Sequence, residues 1–404
     1  MKGVVIGAGR IGCGLAADLL HRSGHEIVMV GRGPAIDALA RTRACTVRLT
    51  DGRSATDHIV AVADAVHIAD TGRVARHVAD ADVVCTAVGA DRLDTVADLI
   101  APGLARAPRP VDVLAFENRL DAAAVLRTAV TDRLGDRGSR HGFSGTVIAR
   151  AVAQRVLPVD DDANLLVVGD RSDEVHVDAA ALTGAWASVP GLVGVESFPA
   201  YYRRKLYRFS AGHATAAYVG AVKGYRYLHA AVADPEIAAA VLGAMEEGRQ
   251  GLDVRYGPAV AGTRAELTGI LARFGNAVLG DTVERVGRDV PRKLARGERL
   301  VGAARLAHAA GVRPTHLALA AAAALDRCPS LTGATDEVTP RQLASTVSRI
   351  TGVRPDHRLA LLIADLWAQL AAGGCGESPL LSLTRRTWAW APRPAHLGIE
   401  SRSA

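Results

Sequence analysis

Gly3-Val4-Val5-Ile6-Gly7-Ala8-Gly9-Arg10-Ile11-Gly12-Cys13-Gly14 opens the chain with a short apolar run that stops on glycine. From Arg10 to Arg22 the apolar residues Ile11, Leu15, Leu19 and Leu20 then recur at helical spacing. A strand followed by a glycine turn and a helix is the context in which Gly-x-Gly-x-x-Gly carries information. Gly7 permits the tight turn, Gly9 lets the backbone approach a pyrophosphate, and Gly12 allows close packing of helix on strand. The helix N-terminus offers free N–H groups to an anion. The stretch predicts a bound dinucleotide, with Gly7, Gly9, Arg10, Ile11 and Gly12 among its contacts.

Working outward, a second strand is expected at Glu26 to Val30, and further strand-like runs at Asp82 to Val88, Val111 to Phe116 and Leu165 to Val168, with helical stretches between several of them. Ala87 and Val88, at the end of the third run, are counted with the cofactor-binding residues. Alternation of this kind argues for an α/β fold, a parallel sheet of Rossmann type covered by helices. From about Pro190 long Ala-rich helical periodicities take over, as in Pro235 to Leu252 and Thr315 to Asp326. The 404 residues therefore read as two domains, a dinucleotide-binding domain over 1–190 and a mainly α-helical substrate domain over 191–404. The last residues, from about Pro392, are expected to fray.

NAD-binding members of this fold end the second strand on an acidic residue that accepts from the adenosine ribose. Here Gly31 and Arg32 follow Val30. Without the carboxylate a 2′-phosphate is no longer repelled, and Arg32 can pair with it, which favours NADP over NAD. The alternative is that Arg32 stacks on the adenine or points to solvent.

The formal charge of +6 does not imply a nucleic-acid polymer, because all but four of the 48 basic residues are arginine, scattered among Asp and Glu, and aromatics make up only 4%. Cys13, Cys45, Cys85, Cys328 and Cys375 are widely spaced, with no CxxC pair, and read as small buried side chains in a reducing cytoplasm. No apolar run reaches the roughly 18 residues of a membrane span, Leu317 to Leu325 being the longest candidate. No metal site is expected. The expected partner is a small molecule, and the protein a cytoplasmic monomer or small homo-oligomer.

Lysine occurs only at 2, 205, 223 and 293, so its placement is informative. Lys205 lies in Tyr201-Tyr202-Arg203-Arg204-Lys205-Leu206-Tyr207-Arg208, followed by Ser210 and His213. Burial and neighbouring arginine charge both disfavour an ammonium, which is how a lysine becomes a proton acceptor near neutral pH. On a regular helix His213 falls about 80° around from Lys205. The bland alternative is a basic surface helix with a core-facing histidine.

The chain resembles the polyol-specific long-chain dehydrogenase/reductase family over nearly its whole length, and within it the mannitol-1-phosphate dehydrogenase type. The family's pattern of Lys, four residues, Asn, two residues, His is matched at Lys205 and His213, with Ser210 in place of Asn. A Glu-Asn pair after a Rossmann strand is matched by Glu117 and Asn118. A later signature is matched by Asn276, Asp281, Arg285, Val286, Arg288, Arg292, Lys293 and Leu294. The resemblance implies that Lys205 is the general acid–base of an NAD(P)-dependent reaction at a secondary hydroxyl or ketone of a polyol, polyol phosphate or sugar-derived metabolite. It implies that Asn118, His213 and the Ser210 position hold the developing oxyanion, that Glu117 belongs to the cofactor site, and that Arg204, Asn276, Arg288, Arg292 and Lys293 bind substrate. The last three are equally readable as surface or interdomain charges.

Ser210, the lost acid after the second strand, and Ser144, Gly145, Thr146 and Ala149 in the stretch where the family carries Asp all depart from the pattern. They keep a second reading open: a redox-neutral dehydratase or epimerase acting on a sugar moiety, for example of a nucleoside, in which a tightly bound NAD(P) takes a hydride and returns it. A third reading, cofactor binding without catalysis, is disfavoured by the persistence of Lys205 and His213.

Overall fold

Val4 and Ile6 belong to one buried cluster and Val5 to another, the period-two signature of a strand covered on both faces. The structure is a computed structural model that describes residues 1–158, 160, 163–328, 331 and 339–372. The chain divides into two units, Met1–Tyr202 with Val278–Gly280, and Arg203–Ala277 with the described residues from Asp281 onward. The divide expected near residue 190 lies within the first unit, ahead of the helix Phe198–Lys205 in which the division falls. The expected fraying from Pro392, and Cys375, lie outside the described residues.

In the first unit the strands are β1 (Lys2–Ile6), β2 (Glu26–Gly31), β3 (Ala44–Thr50), β4 (Ala55–Ala61), β5 (Asp64–His67), β6 (Val83–Thr86), β7 (Asp112–Ala115), β8 (Gly142–Ile148), β9 (Val152–Val156), β10 (Leu165–Gly169), β11 (Val175–Asp178) and β12 (Leu192–Val195). Eight form one sheet in the order β12-β11-β8-β7-β6-β1-β2-β5, parallel throughout except that β11 runs against β8. The chain leaves β1 for β2 on one side and reaches β6 on the other, so β1 and β6 flank a topological switch point, where doubly wound sheets bind ligands. Helices Thr71–Ala79, Leu93–Leu104 and Ala122–Leu134 bury Val74, Val78, Val96, Ile100, Leu126 and Val130 against one face.

The expected strand at Leu165 to Val168 exists, but it joins a second sheet, β4-β3-β10-β9, rather than the parallel one. Its apolar residues Cys45, Val47, Val60, Leu165 and Val167 cover the helical segment that follows the glycine loop. Asp18, fully buried in that segment, pairs at 2.7 Å with Arg150, whose guanidinium also donates to the Gly14 carbonyl at 2.7 Å and to the Ser172 carbonyl at 2.9 Å. His58 of β4 lies 2.9 Å from Asp18. Burial alone would raise the Asp18 pKa, but Arg150 and His58 hold it below the usual carboxylate range.

The second unit, as described, is helical. Asp234 caps the helix Pro235–Tyr256 by accepting from the Glu236 and Ile237 N–H groups, and Pro235 occupies the first turn, where it displaces no hydrogen bond. This helix packs on Ala211–Val222, Val301–Ala309 and Thr315–Asp326. Leu317 to Leu325, the longest apolar run, is buried at every position, so it is an interior helix. No helix among the described residues is long and apolar enough to cross a membrane.

Truncating Arg150 removes the fully buried partner of the Asp18 carboxylate and leaves it only the partly exposed His58 and Arg22. Arg150→Met is expected to cost about 3–5 kcal/mol in chemical denaturation, and Asp18→Leu with Arg150→Met clearly less than that single change. A larger loss in the double variant would contradict this account.

Candidate active site

The β1/β6 switch point opens into a crevice of about 430 Å³ lined by Gly7, Gly9, Gly31, Arg32, Ala87 and Val88, among others. Gly7 holds φ +117°, a conformation closed to side chains, and a Cβ on it would sit 2.3 Å from the Ala87 carbonyl oxygen. A Cβ on Gly12 would sit 1.8 Å from the Gly7 carbonyl oxygen, so the helix meets the turn only through glycine. At Gly9 the nearest atom to such a Cβ is 3.9 Å away, leaving the loop's outer surface bare. These features fit a dinucleotide pyrophosphate. Three arginines, Arg32, Arg92 and Arg155, line the crevice and no carboxylate does. Arg155 also donates to the Ala8 carbonyl at 2.8 Å, which brings a cation to the glycine turn.

Arg10 and Ile11 do not line this crevice: Arg10 donates to the Ala153 carbonyl at 3.0 Å and Ile11 packs on the core. Glu117 acts through the backbone instead. Its buried carboxylate accepts from Val88 N–H at 2.9 Å and Gly89 N–H at 3.0 Å, shaping the turn after β6. Burial pushes its pKa up, partly offset by those two bonds. Asn118, next in the chain, is exposed.

In the second unit Lys205 ends the helix Phe198–Lys205, and the helix continues without a break through Leu206–Ser210, a π turn, into Ala211–Val222. The Ala211 N–H reaches the Leu206 carbonyl, an i→i+5 bond. This alters the expected geometry, because a π turn absorbs one extra residue. On a regular helix Ser210 and His213 would stand about 140° and 80° from Lys205; with one residue absorbed they stand about 40° and 20° from it, on opposite sides. All three share one face.

Lys205 is half-buried, and burial together with the nearby Arg299 charge lowers its pKa to about 8, with Glu298 opposing. The arginines beside it in sequence are engaged elsewhere. Arg203 donates to the Tyr256 hydroxyl at 2.9 Å, while Arg204 and Arg208 reach Glu266 at 2.9 and 2.8 Å. The cation that acts on Lys205 therefore comes from a distant segment. His213 Nε2 lies 3.3 Å from Asp281 Oδ2, and the imidazole packs against Phe274 with ring centres 5.1 Å apart. Burial lowers the His213 pKa despite that carboxylate, so the ring is neutral beside a charged Asp281.

Ser210 and Asn276 are buried. Arg288 and Arg292 are exposed, Arg292 pairing with Asp289. Lys293 is buried, and its ammonium donates to the Val286 and Arg288 carbonyls, a tie within its own segment. Arg92, Arg155, Arg299 and the pairing of Asp281 with His213 carry no local sequence signal, although Asp281 stands in the signature itself.

The chain matches the mannitol dehydrogenase Rossmann domain over residues 1–168 and the mannitol dehydrogenase C-terminal domain over residues 197–372. Mannitol-1-phosphate 5-dehydrogenase of Paenarthrobacter aurescens (strain TC1) is 34% identical over 374 residues, 89% of this chain and 96% of the relative. The enzyme of that name from Thermoanaerobacter pseudethanolicus is 28% identical over 92% of this chain and 98% of its own length. The fold matches Pseudomonas fluorescens mannitol 2-dehydrogenase, solved as a ternary complex with NAD and D-mannitol, at a TM-score of 0.69 and 16% identity, covering 95% of this chain and 93% of that one. A D-sorbitol dehydrogenase in substrate-free form matches at a TM-score of 0.72 and 13% identity, covering 92% and 93%.

Glu117→Gln keeps one acceptor but turns an amide N–H toward a backbone N–H. It is expected to weaken dinucleotide binding about 5- to 30-fold, the equivalent of 1–2 kcal/mol. Titration calorimetry showing unchanged affinity would remove Glu117 from the site.

Proposed function

The chain belongs to the mannitol dehydrogenase family, and on that premise we propose that it is a nicotinamide-dependent dehydrogenase interconverting a secondary hydroxyl and a ketone of a polyol phosphate, with Lys205 as general acid–base. The observation that carries this reading is the Lys205 amine, held near a pKa of 8 on the same helix face as His213. When bound, the nicotinamide supplies the hydride acceptor. The neutral Lys205 amine takes the proton of the substrate hydroxyl in the oxidative direction, and the ammonium returns it in the reductive one. With its Nε2 proton directed at Asp281, His213 presents Nδ1 as an acceptor that orients the substrate hydroxyl. Ser210 stands on the same helix face. Arg288 and Arg292, both exposed, supply charge for the substrate phosphate, and Lys293 fixes the segment that carries them.

Polyol oxidation should rise with pH and level off above about 8, where Lys205 is deprotonated, while ketone reduction falls over the same interval. Lys205→Ala should lower kcat for mannitol 1-phosphate about 10²- to 10⁴-fold with dinucleotide affinity intact. The near-ultraviolet absorbance of reduced nicotinamide follows both. Retained turnover in that variant would remove Lys205 from the mechanism. The buried Ser210 in place of the family's asparagine favours one second reading, a redox-neutral elimination or epimerisation. Product formed without net reduced nicotinamide would establish it.

The acid-free, arginine-lined crevice favours NADP. Arg32→Ala is expected to weaken NADP about 10-fold while leaving NAD within about 2-fold. Equal losses for the two cofactors would show that Arg32 does not read the 2′-phosphate.

A further inference from the structure

The π turn Leu206–Ser210 has a cause outside its own sequence. Turning five residues in an i→i+5 loop pushes a carbonyl out from the helix axis, and here the Tyr207 carbonyl meets the helix Pro235–Tyr256 at Gly248. A Cβ at 248 would lie 2.1 Å from the Tyr207 oxygen and 3.1 Å from its carbon, both backbone atoms that cannot swing aside as a flexible side chain can. We propose that Gly248 is a positioning residue: its bare Cα admits the displaced Tyr207 carbonyl, and the π turn so accommodated sets Lys205, Ser210 and His213 on one helix face.

Neither partner in this contact is free to give way. The neighbouring Glu247 carboxylate is buried, accepting from His316 N–H at 2.9 Å and Leu317 N–H at 3.0 Å and lying 2.7 Å from His316 Nδ1. It therefore pins Pro235–Tyr256 to the start of Thr315–Asp326. On the other side the Tyr207 hydroxyl donates to the Gly297 carbonyl at 3.1 Å, in a niche that exists because Gly302 has no side chain: a Cβ there would lie 2.7 Å from that hydroxyl. Tyr207 is thus held at its carbonyl by one glycine and at its hydroxyl by another. The same anchoring brings Gly297 and its neighbours Glu298 and Arg299 alongside the turn, the two charges that act on Lys205. Losing the π turn would rotate Ser210 and His213 by about 100° relative to Lys205 and part the amine from its present surroundings.

Gly251, one turn along the same helix, provides the control. A Cβ there would lie 2.8 Å from the Ala307 N atom, also a backbone clash though a milder one than at Gly248, and it faces Val301–Ala309 rather than the π turn. The experiment titrates the lysines of the full chain by NMR after ¹³C-dimethylation, four lysine signals beside that of the α-amine, with Lys205→Arg assigning the one at 205. In Gly248→Ala the Lys205 titration is expected to rise by about one pH unit. With mannitol 1-phosphate and NAD or NADP, kcat should fall about 100-fold while the KM for dinucleotide stays within about 2-fold. Gly251→Ala should lower the melting temperature and leave the Lys205 titration where it is. Tyr207→Phe removes one hydroxyl without adding bulk and should move the titration in the same direction by less, which serves should Gly248→Ala fail to fold. An unmoved Lys205 in both Gly248→Ala and Tyr207→Phe, or the same shift in Gly251→Ala, would overturn the proposal. The kcat comparison rests on the dehydrogenase reading above. If the wild-type chain does not oxidise mannitol 1-phosphate, that reading of the substrate fails, and the lysine titration still decides the role of Gly248.

Discussion

A carbonyl pressed against a backbone that has no Cβ occurs both at the glycine loop and at the Lys205 segment. At Gly12 the contact is with the Gly7 carbonyl, and the segment Gly12–Ala17 that follows is itself a π turn. At Gly248 it is with the Tyr207 carbonyl, within the π turn Leu206–Ser210. Any side chain costs a displacement at either point, because the atoms opposed are main-chain atoms, which cannot swing aside as a flexible side chain can. The glycine loop and the Lys205 face are thus set by excluded volume before any charge is considered. π turns are uncommon and concentrate at functional sites, and among the described residues two occur, one after the glycine loop and one beside Lys205.

Electrostatics then refine what sterics has placed. The chain writes arginine for lysine almost everywhere, and many of those arginines are tied to carboxylates or carbonyls, as Arg150 to Asp18, Arg204 and Arg208 to Glu266, Arg292 to Asp289. Against that background the pKa of Lys205 near 8 results from burial and from Arg299, a charge that its own helix does not supply. Lys293 is lowered to a similar value, by burial first, yet its ammonium is bound to two carbonyls and serves to hold a segment. A lowered lysine pKa is therefore not by itself the mark of one particular role in this chain.

Much of this was legible in the residues themselves. The strand, glycine turn and helix at the N-terminus are local in sequence, with alternation, helical spacing and three glycines inside one short window, and local order of that kind survives into the fold. The family likeness picked out Lys205 and His213 by their spacing and Glu117 and Asn118 by their place after a strand. What lay beyond reach was decided by contacts between distant segments. The strand at Leu165 pairs with Cys45, which makes it part of a second sheet instead of an extension of the first. Strand β4 alternates weakly and is largely exposed, so it leaves little trace in hydrophobic periodicity. Most consequential, the angular relation of Lys205 to His213 depends on whether one helical turn closes at i+4 or i+5. That choice is local in the backbone but is made by a glycine on another helix, and no propensity within Leu206–Ser210 records it. The sequence by itself therefore determined which groups are present and in what order, while the tertiary structure decided which way they face, because a helix takes its hydrogen-bond register from what presses on it.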